Sequence, residues 1–519
     1  MDLTFGTGGL RAVMGNASHQ MNLGVIREAT RGVALYAREK YADTKDKPRI
    51  AIAYDSRHQG ETFARETART LALEGCKALI FPKLAPTPAL AFAVRYLNCD
   101  LGICITASHN PPEYNGYKVY GPDGGQITEQ MAEKISVCMQ RASGGRTAEE
   151  VERSFQGGEE KPSMLKLDFE RFLRLGEIAW IEEEVLKAFL KAALGYRTRR
   201  ALTSNLKVVY TPLHGAGLSC VISILRFIGV RDLTVVPEQA RPDGSFPTCP
   251  YPNPEEPGAM RLGIQWCEKQ EADILLATDP DSDRVGVAAR KDDCFCILSG
   301  NQVGILLLDY LLSTRKQAGT LPARPVVITT IVSTALTERI ARDYGVRVIR
   351  TLTGFKYIGE QIHRLEEQGE EEQFIFGFEE SCGYLIGPYV RDKDAVGACM
   401  AICEMADAWK AQGKTLWQRL EELYTKYGRF TGSQRVFQIS PQECKKKMMR
   451  IRRGLKENLA MEFKGRRVVR YKDYLMGMDG LPPSDVLELW LENEGKVVIR
   501  PSGTEPKLKV YMENILYKS

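Results

Sequence analysis

Short apolar runs alternate along the chain with longer segments of helical period. PRIAIAYD (48–55) precedes ETFARETARTLALEG, LKVVYTP (206–212) precedes GLSCVISILRFIG, and PVVITTIV (325–332) precedes TALTERIARDYG. Each pair predicts a buried strand followed by an amphipathic helix. Strand–helix–strand order predicts βαβ units and mostly parallel sheets. The pattern restarts more than once, so several related α/β domains are expected rather than one large sheet. The polar, glycine-bearing stretch ASGGRTAEEVERSFQGGEEKPS (142–163) marks a boundary. The expected domains are 1–160, 161–292, 293–426 and 427–519.

Composition narrows the class without naming a chemistry. A chain of 519 residues exceeds one compact core and fits several domains. Its net charge of +5, from 71 basic and 66 acidic residues, gives no global field for nucleic acid or an anionic membrane. Local basic pockets for anionic substrates are still allowed. The longest apolar run, VGILLLDYLL, is broken by Asp309 and falls short of the roughly 18–20 residues a membrane span needs. MDLTFGTGGLR lacks the basic-then-apolar order of a secretory signal. Thirteen cysteines without a CxxC pair argue against zinc ribbons and thioredoxin-like sites. They fit a reducing, cytoplasmic setting. KKKMMRIRRGLK (445–456) carries seven basic residues and reads as the exposed face of a helix in the last domain. LEEQGEEEQ (365–373) reads as a solvated helix end. No nucleic-acid or membrane partner is expected.

Four apolar runs stop abruptly at unusual polar clusters. LGICI leads to TASHN, ADILLA to TDPDSDR, QFIF to GFEES and KVVI to RPSGTEPK. Ligands of open α/β sheets bind outside the carboxyl ends of the strands. Four such loops of different chemistry predict one composite site built from several domains. In DPDSDR, Asp279, Asp281 and Asp283 alternate, so in an extended segment they share a face and call for a cation. Arg284 and Arg290 stand where an EF-hand needs Gly and Glu, which excludes that motif and leaves Mg²⁺ with a phosphate oxygen as the fitting ion. RPSGTEPK offers Arg500, Ser502, Gly503, Thr504 and Lys507 to a phosphate. GFEES offers Glu379 and Ser381 to neighbouring sugar hydroxyls, with Thr353, Gly354 and Lys393 nearby in TGFK and RDKDA.

Other chemistries fit less well. No G-x-S-x-G surrounds Ser108, and His109, its neighbour in sequence, is poorly placed as a triad base. No GxxxxGK[ST] is present. GAGLSC (215–220) approaches GxGxxG after a strand, but its third glycine is Cys220. His214 before it reads as structural.

Together these segments resemble the α-D-phosphohexomutase superfamily, in particular its bacterial phosphoglucomutase branch, which also holds phosphopentomutases and glucose-1,6-bisphosphate synthases. The resemblance rests on FGTGGLR (5–11), TASHNPPEYNGYKVYG (106–121), DPDSDR (279–284), TGFK (353–356), GFEES (377–381), RDKDA (391–395) and RPSGTEPK (500–507), in that order along nearly the whole chain. It implies a four-domain, heart-shaped α/β architecture: three related mixed-sheet domains and a smaller α+β C-terminal one. It implies a phosphorylated Ser108, with Mg²⁺ held by Ser108, Asp279, Asp281 and Asp283. Arg11, His109 and Lys118 would surround the transferred phosphoryl group, with Asp283 and Arg284 close by. Thr353, Gly354, Glu379, Ser381 and Lys393 would hold the sugar, and Arg500, Ser502, Gly503, Thr504 and Lys507 the second phosphate. The implied reaction interconverts glucose 1-phosphate and glucose 6-phosphate through glucose 1,6-bisphosphate. Lys118, His109 and Lys393 remain candidates for the acid–base group. The alternatives are a phosphopentomutase or phosphomannomutase and, more remotely, a non-catalytic sugar-phosphate binder, prompted by the short ends around these motifs. The resemblance implies small sugar phosphates as partners and a monomer or weak dimer. Two positions depart from the family pattern: Ser282 stands for Ala or Gly, and Cys382 for an aromatic residue.

Overall fold

The computed structural model describes residues 9–42, 47–144, 162–199, 201–457, 462–502 and 507–516. Among them the strands form four sheets. The first runs β1-β5-β4-β2-β3-β6, from β1 (Leu10–Val13), β2 (Arg49–Tyr54), β3 (Lys77–Ile80), β4 (Leu101–Ile105), β5 (Tyr114–Tyr120) and β6 (Ile178–Trp180). The second runs β11-β10-β9-β7-β8, from β7 (Lys207–Thr211), β8 (Asp232–Val235), β9 (Ile274–Thr278), β10 (Val285–Lys291) and β11 (Cys294–Leu298). The third runs β13-β12-β14-β15, from β12 (Val326–Thr330), β13 (Arg347–Thr351), β14 (Phe374–Glu379) and β15 (Gly383–Leu385). The fourth holds β16 (Arg429–Gln438), β17 (Glu462–Phe463), β18 (Arg466–Asp473), β19 (Leu487–Leu491), β20 (Lys496–Pro501) and β21 (Lys507–Leu516), in the order β16-β21-β20-β19-β18-β17.

The first three sheets repeat one plan. A central strand (β2, β7 or β12) has a parallel neighbour on each side, and one of these neighbours turns back as an antiparallel hairpin. The parallel strands are buried on both faces, which explains their unbroken apolar sequences. The hairpin loops β4–β5, β9–β10 and β14–β15 carry TASHN, DPDSDR and the end of GFEES. Three of the four polar clusters therefore occupy one topological position in three related domains. The fourth sheet is antiparallel throughout.

β6 lies beyond residue 160, the expected end of the first domain, yet belongs to the first sheet. Helix Pro162–Arg174 packs against helix Gly60–Leu73 and returns the chain, so that β6 pairs in parallel with β3. The first sheet thus extends past that limit.

One apolar core runs from Ala51 through Phe189, Tyr210 and Leu306 to Phe378 and Leu420, and so joins the first three domains. The last domain has its own core, where Cys444, Met448 and Leu455 of helix Pro441–Lys456 pack on Leu487, Leu489 and Val497. Ser440 and Glu443 close a capping box at the start of that helix, and its basic residues Lys445, Lys446 and Lys447 are exposed. No helix among the described residues is long and apolar enough to cross a membrane.

Candidate active site

The loop after β4 places Ser108 at φ +53° and buries it. A left-handed conformation costs an L residue roughly 1–2 kcal/mol, so the surroundings must enforce it. Thr106 does part of this: its hydroxyl accepts from Ser108 N at 2.8 Å and donates to Asp55 Oδ2 at 2.6 Å. Ser108 Oγ in turn donates to Asp279 Oδ2 at 2.8 Å and lies 3.2 Å from His109 Nδ1. Burial, with Arg284 and Arg11 beside it, pushes the His109 pKa well below the usual imidazole range. Arg11, on β1, donates to Asn110 Oδ1 at 3.4 Å.

Asp279, Asp281 and Asp283 are fully buried, and a ligand oxygen from each lies within 4.8 Å of the others. Their environments differ. Lys118 Nζ donates to Asp281 Oδ2 at 2.7 Å and Asp283 Oδ2 at 3.2 Å, and Lys393 Nζ reaches Asp283 Oδ2 at 2.8 Å. Thr87 Oγ1 donates to Asp281 Oδ2 at 2.8 Å. Burial opposes ionisation of Asp281 and Asp283, but the ammonium groups outweigh it and hold both carboxyls below the usual range. Asp279 has no lysine; burial, then Asp283 and Asp281, push its carboxyl well above that range. Burial likewise opposes charge on Lys118 and Lys393, but the facing aspartates win and keep both protonated. Asp281 Oδ1 and Asp283 Oδ1 are buried without a hydrogen-bond partner among the described residues. An orphaned buried carboxylate oxygen is costly. Two of them beside Asp279 and the Ser108 hydroxyl form an all-oxygen donor set that fits a small hard cation.

Backbone bonds from other domains brace this loop. Thr87 N donates to Asp281 O at 2.8 Å, Ala395 N to Ser282 O at 3.3 Å, and Val285 N to Cys382 O at 3.1 Å. Ser282 and Cys382 have φ +55° and +61°, the same conformation as Ser108 in the equivalent hairpin. Cys382 is buried in the shared core.

On the third domain Glu379 is buried at the end of β14 and accepts from Gly354 N at 2.8 Å. Gly354 sits at φ +125°, which only glycine adopts readily. Burial raises the Glu379 carboxyl, with Lys393 and Arg284 opposing. The Thr353 hydroxyl is buried without a hydrogen-bond partner among the described residues. Ser381 follows as a half-buried residue. Arg284 sits 3.8 Å from Asp283 and 3.5 Å from Glu255. Arg500, next to last in β20, lies close enough to Glu380 to act on its charge, which brings the fourth domain to the GFEES loop. Ser502 N donates to Lys507 O at 2.7 Å, closing the base of the RPSGTEPK loop. Gly503 and Thr504 lie outside the described residues.

Models of the phosphoglucomutase/phosphomannomutase family, α/β/α domains I, II and III, match residues 2–145, 187–292 and 299–427, and the model of its C-terminal domain matches 487–514. The chain belongs to this family. A phosphoglucomutase of Staphylococcus aureus (strain MSSA476) is 34% identical over 522 residues, covering 98% of this chain and 89% of its own. One of Staphylococcus haemolyticus (strain JCSC1435) is 32% identical over 523 residues, covering 98% and 90%. The solved open form of Paramecium parafusin, a phosphoglucomutase, shares the fold at a TM-score of 0.73 and 16% identity, covering 99% of this chain and 90% of that one.

For a chain of this phosphohexomutase family, sequence reasoning passed over a fifth strand end. After β2 come Asp55, Ser56 and Arg57, and both Asp55 and Arg57 are buried beneath the Ser108 loop. The signal was an apolar run stopping at a polar DSR cluster, the same signal that marked the other four. The GAGLSC turn also finds its purpose. A Cβ on Gly215 would lie 2.4 Å from Pro280 Cα, and Ala216 N donates to Pro280 O at 2.8 Å. That glycine admits the DPDSDR loop rather than a dinucleotide. His214 is held by Arg241 O at 3.1 Å and Thr248 Oγ1 at 2.9 Å, in keeping with a structural role.

Proposed function

We propose that the chain is a phosphoglucomutase that interconverts glucose 1-phosphate and glucose 6-phosphate through phosphoserine at Ser108 and glucose 1,6-bisphosphate. The observation that carries this reading is the buried Ser108 hydroxyl, 2.8 Å from Asp279 and set against a carboxylate triad with two unsatisfied oxygens. Asp279, Asp281, Asp283 and an oxygen at Ser108 would hold Mg²⁺, which when bound offsets charge on a transferring phosphoryl group. Arg500, Ser502 and Lys507, with Gly503 and Thr504, grip the substrate's own phosphate, while Thr353, Gly354, Glu379, Ser381 and Lys393 orient the ring. The free sugar hydroxyl attacks the phosphorus of phosphoserine. The Ser108 O–P bond breaks, a sugar O–P bond forms, and the proton lost by the sugar hydroxyl is balanced by the one Ser108 Oγ takes up as it returns to a hydroxyl. Lys118, kept cationic by Asp281 and Asp283, and the Arg11 guanidinium stabilise the charge that spreads over the phosphoryl oxygens. Neutral His109, with Nδ1 3.2 Å from Ser108 Oγ, faces the leaving oxygen, and Lys118 and Lys393, held protonated, are the other candidates for the acid–base step. The bisphosphate turns over and returns its other phosphate to Ser108.

The enzyme is assigned to the cytoplasm, where its thirteen free thiols stay reduced, and to a monomer or weak dimer. Comparing kcat/KM for glucose, mannose, ribose and glucosamine 1-phosphates tests the sugar assignment. Glucose 1-phosphate should give the highest value. A clear pentose preference would overturn the substrate and leave the transfer chemistry standing.

A further inference from the structure

We infer that Arg57 is the positioning residue that fixes the Ser108 loop for phosphoryl transfer, by gathering that loop's carbonyl oxygens onto one buried guanidinium. The inference rests on the reading of Ser108 as the phosphoryl carrier.

Arg57 follows β2, and its side chain is fully buried. Nη2 donates to Ser108 O at 2.5 Å and to Asn110 O; Nη1 donates to Pro111 O at 2.8 Å and to Tyr114 O at 3.0 Å. Four acceptors from one seven-residue loop thus converge on a single planar fork. Asp55 holds the fork in place: its Oδ2 lies 3.5 Å from Arg57 Nε, and its Oδ1 accepts from Arg57 N at 3.0 Å. Phe246, from the second domain, lies 5.1 Å from the guanidinium carbon.

The sequence of the loop explains the need. Pro111 and Pro112 have no N–H, so the Asn110–Pro111 and Pro111–Pro112 peptides are bare acceptors. Buried carbonyls without donors are costly: Pro111 O takes one backbone N–H, from Tyr114 at 3.1 Å, and Asn110 O is met by Arg57. Arg57 supplies the donors in a geometry a lysine cannot match, because an ammonium is a compact point and the guanidinium a rigid fork. The chemical consequence is directional. In a trans peptide C=O and N–H point apart, so drawing Ser108 O toward Arg57 sends His109 N–H away from it. Thr106, itself bonded to Asp55, accepts from Ser108 N. Serine is thereby clamped through both of its backbone polar atoms, while its Oγ meets only side chains, Asp279 and His109. Arg57 touches no reacting atom, so its effect should appear in the rate of transfer and not in substrate affinity.

The test compares wild type, Arg57→Lys and Arg57→Ala, each mixed with glucose 1,6-bisphosphate and Mg²⁺. Phosphate on Ser108 is followed by intact mass in a rapid-quench series. Displacing a reacting group by an ångström typically costs about 100-fold, so charging of Arg57→Lys should slow by about that factor while KM for glucose 1-phosphate stays within about twofold. Arg57→Ala should be slower still, and added guanidinium should restore its rate about tenfold or more. If near-ultraviolet circular dichroism shows Arg57→Ala unfolded, Arg57→Lys decides, since it keeps the charge and most of the volume. Charging by Arg57→Lys at the wild-type rate overturns the assignment. So does a loss carried by KM, or an Arg57→Lys protein that does not fold, which would make Arg57 a determinant of the fold and not of one loop. Wild type that never takes phosphate at Ser108 defeats the carrier reading instead, so the two failures are distinguishable.

Discussion

Asp394 illustrates how single residues in this molecule trade solvation against structure. It is buried at the start of helix Ala395–Lys410, where it accepts from Val396 N at 2.8 Å, Gly397 N at 3.1 Å and Tyr389 Oη at 2.5 Å. Burial outweighs those bonds and pushes its carboxyl from 3.8 up to about 6. Between those values the folded protein binds more protons than the unfolded chain. Asp394 therefore contributes stability that is complete below about pH 4 and is lost as the pH rises through about 6. At about 1.4 kcal/mol per unit, the window is worth on the order of 3 kcal/mol. Urea unfolding of wild type and Asp394→Asn at both ends of the window should show wild type losing that much relative to the variant on going to neutral pH. A constant difference between the two proteins would mean that Asp394 is ionised throughout. RDKDA hinted at a sugar ligand in Lys393, but the capping role of its second aspartate depends on a helix start that the motif does not announce.

At the scale of elements, the hairpin loops explain how much of the site was legible. Each polar cluster ended a strand whose apolar run is plain in the sequence, and an alternating Asp triplet has few uses without a cation. Their equivalence was not legible, because the left-handed turn shared by Ser108, Ser282 and Cys382 has no common residue type. Arg57 was not legible either: its acceptors are backbone carbonyls more than fifty residues away, and a carbonyl has no sequence signature. The place of β6 in the first sheet was not legible for a related reason. The polar stretch 142–163 looks like a linker, but the chain beyond it returns to the same sheet through β6. Gly215 gives the element scale its prediction. Gly215→Ala would drive Pro280 away from the turn, so stability should fall by about 1–3 kcal/mol, as for other overpacked sites. Because Pro280 separates Asp279 from Asp281, the Mg²⁺ concentration for half-maximal activity should rise as well. Unchanged urea stability together with an unchanged Mg²⁺ titration would show that the turn tolerates a side chain.

Over the whole molecule, the site is shared out. The first domain offers Ser108, the second the triad, the third Glu379 and Lys393, and the fourth Arg500. The first three domains share one core, so the Ser108 loop, the aspartate triad and the GFEES loop are fixed relative to one another. The fourth has its own core, sends Phe430 into the shared one, and meets the third through a smaller cluster of Ile331, Val332 and Leu352 with Tyr474, Val486 and Val498. A domain joined in this way is the one expected to move as substrate enters, while the chemistry stays on the rigid part. The account then stands on Ser108 as the place where phosphate waits between half-reactions. The most direct test is intact-mass and phosphopeptide analysis of protein charged with glucose 1,6-bisphosphate and Mg²⁺, then chased with glucose 1-phosphate. The account predicts one phosphate on Ser108 that the chase discharges as bisphosphate, and none on Ser108→Ala. Phosphate on another residue, phosphate that survives the chase, or turnover by Ser108→Ala would contradict it.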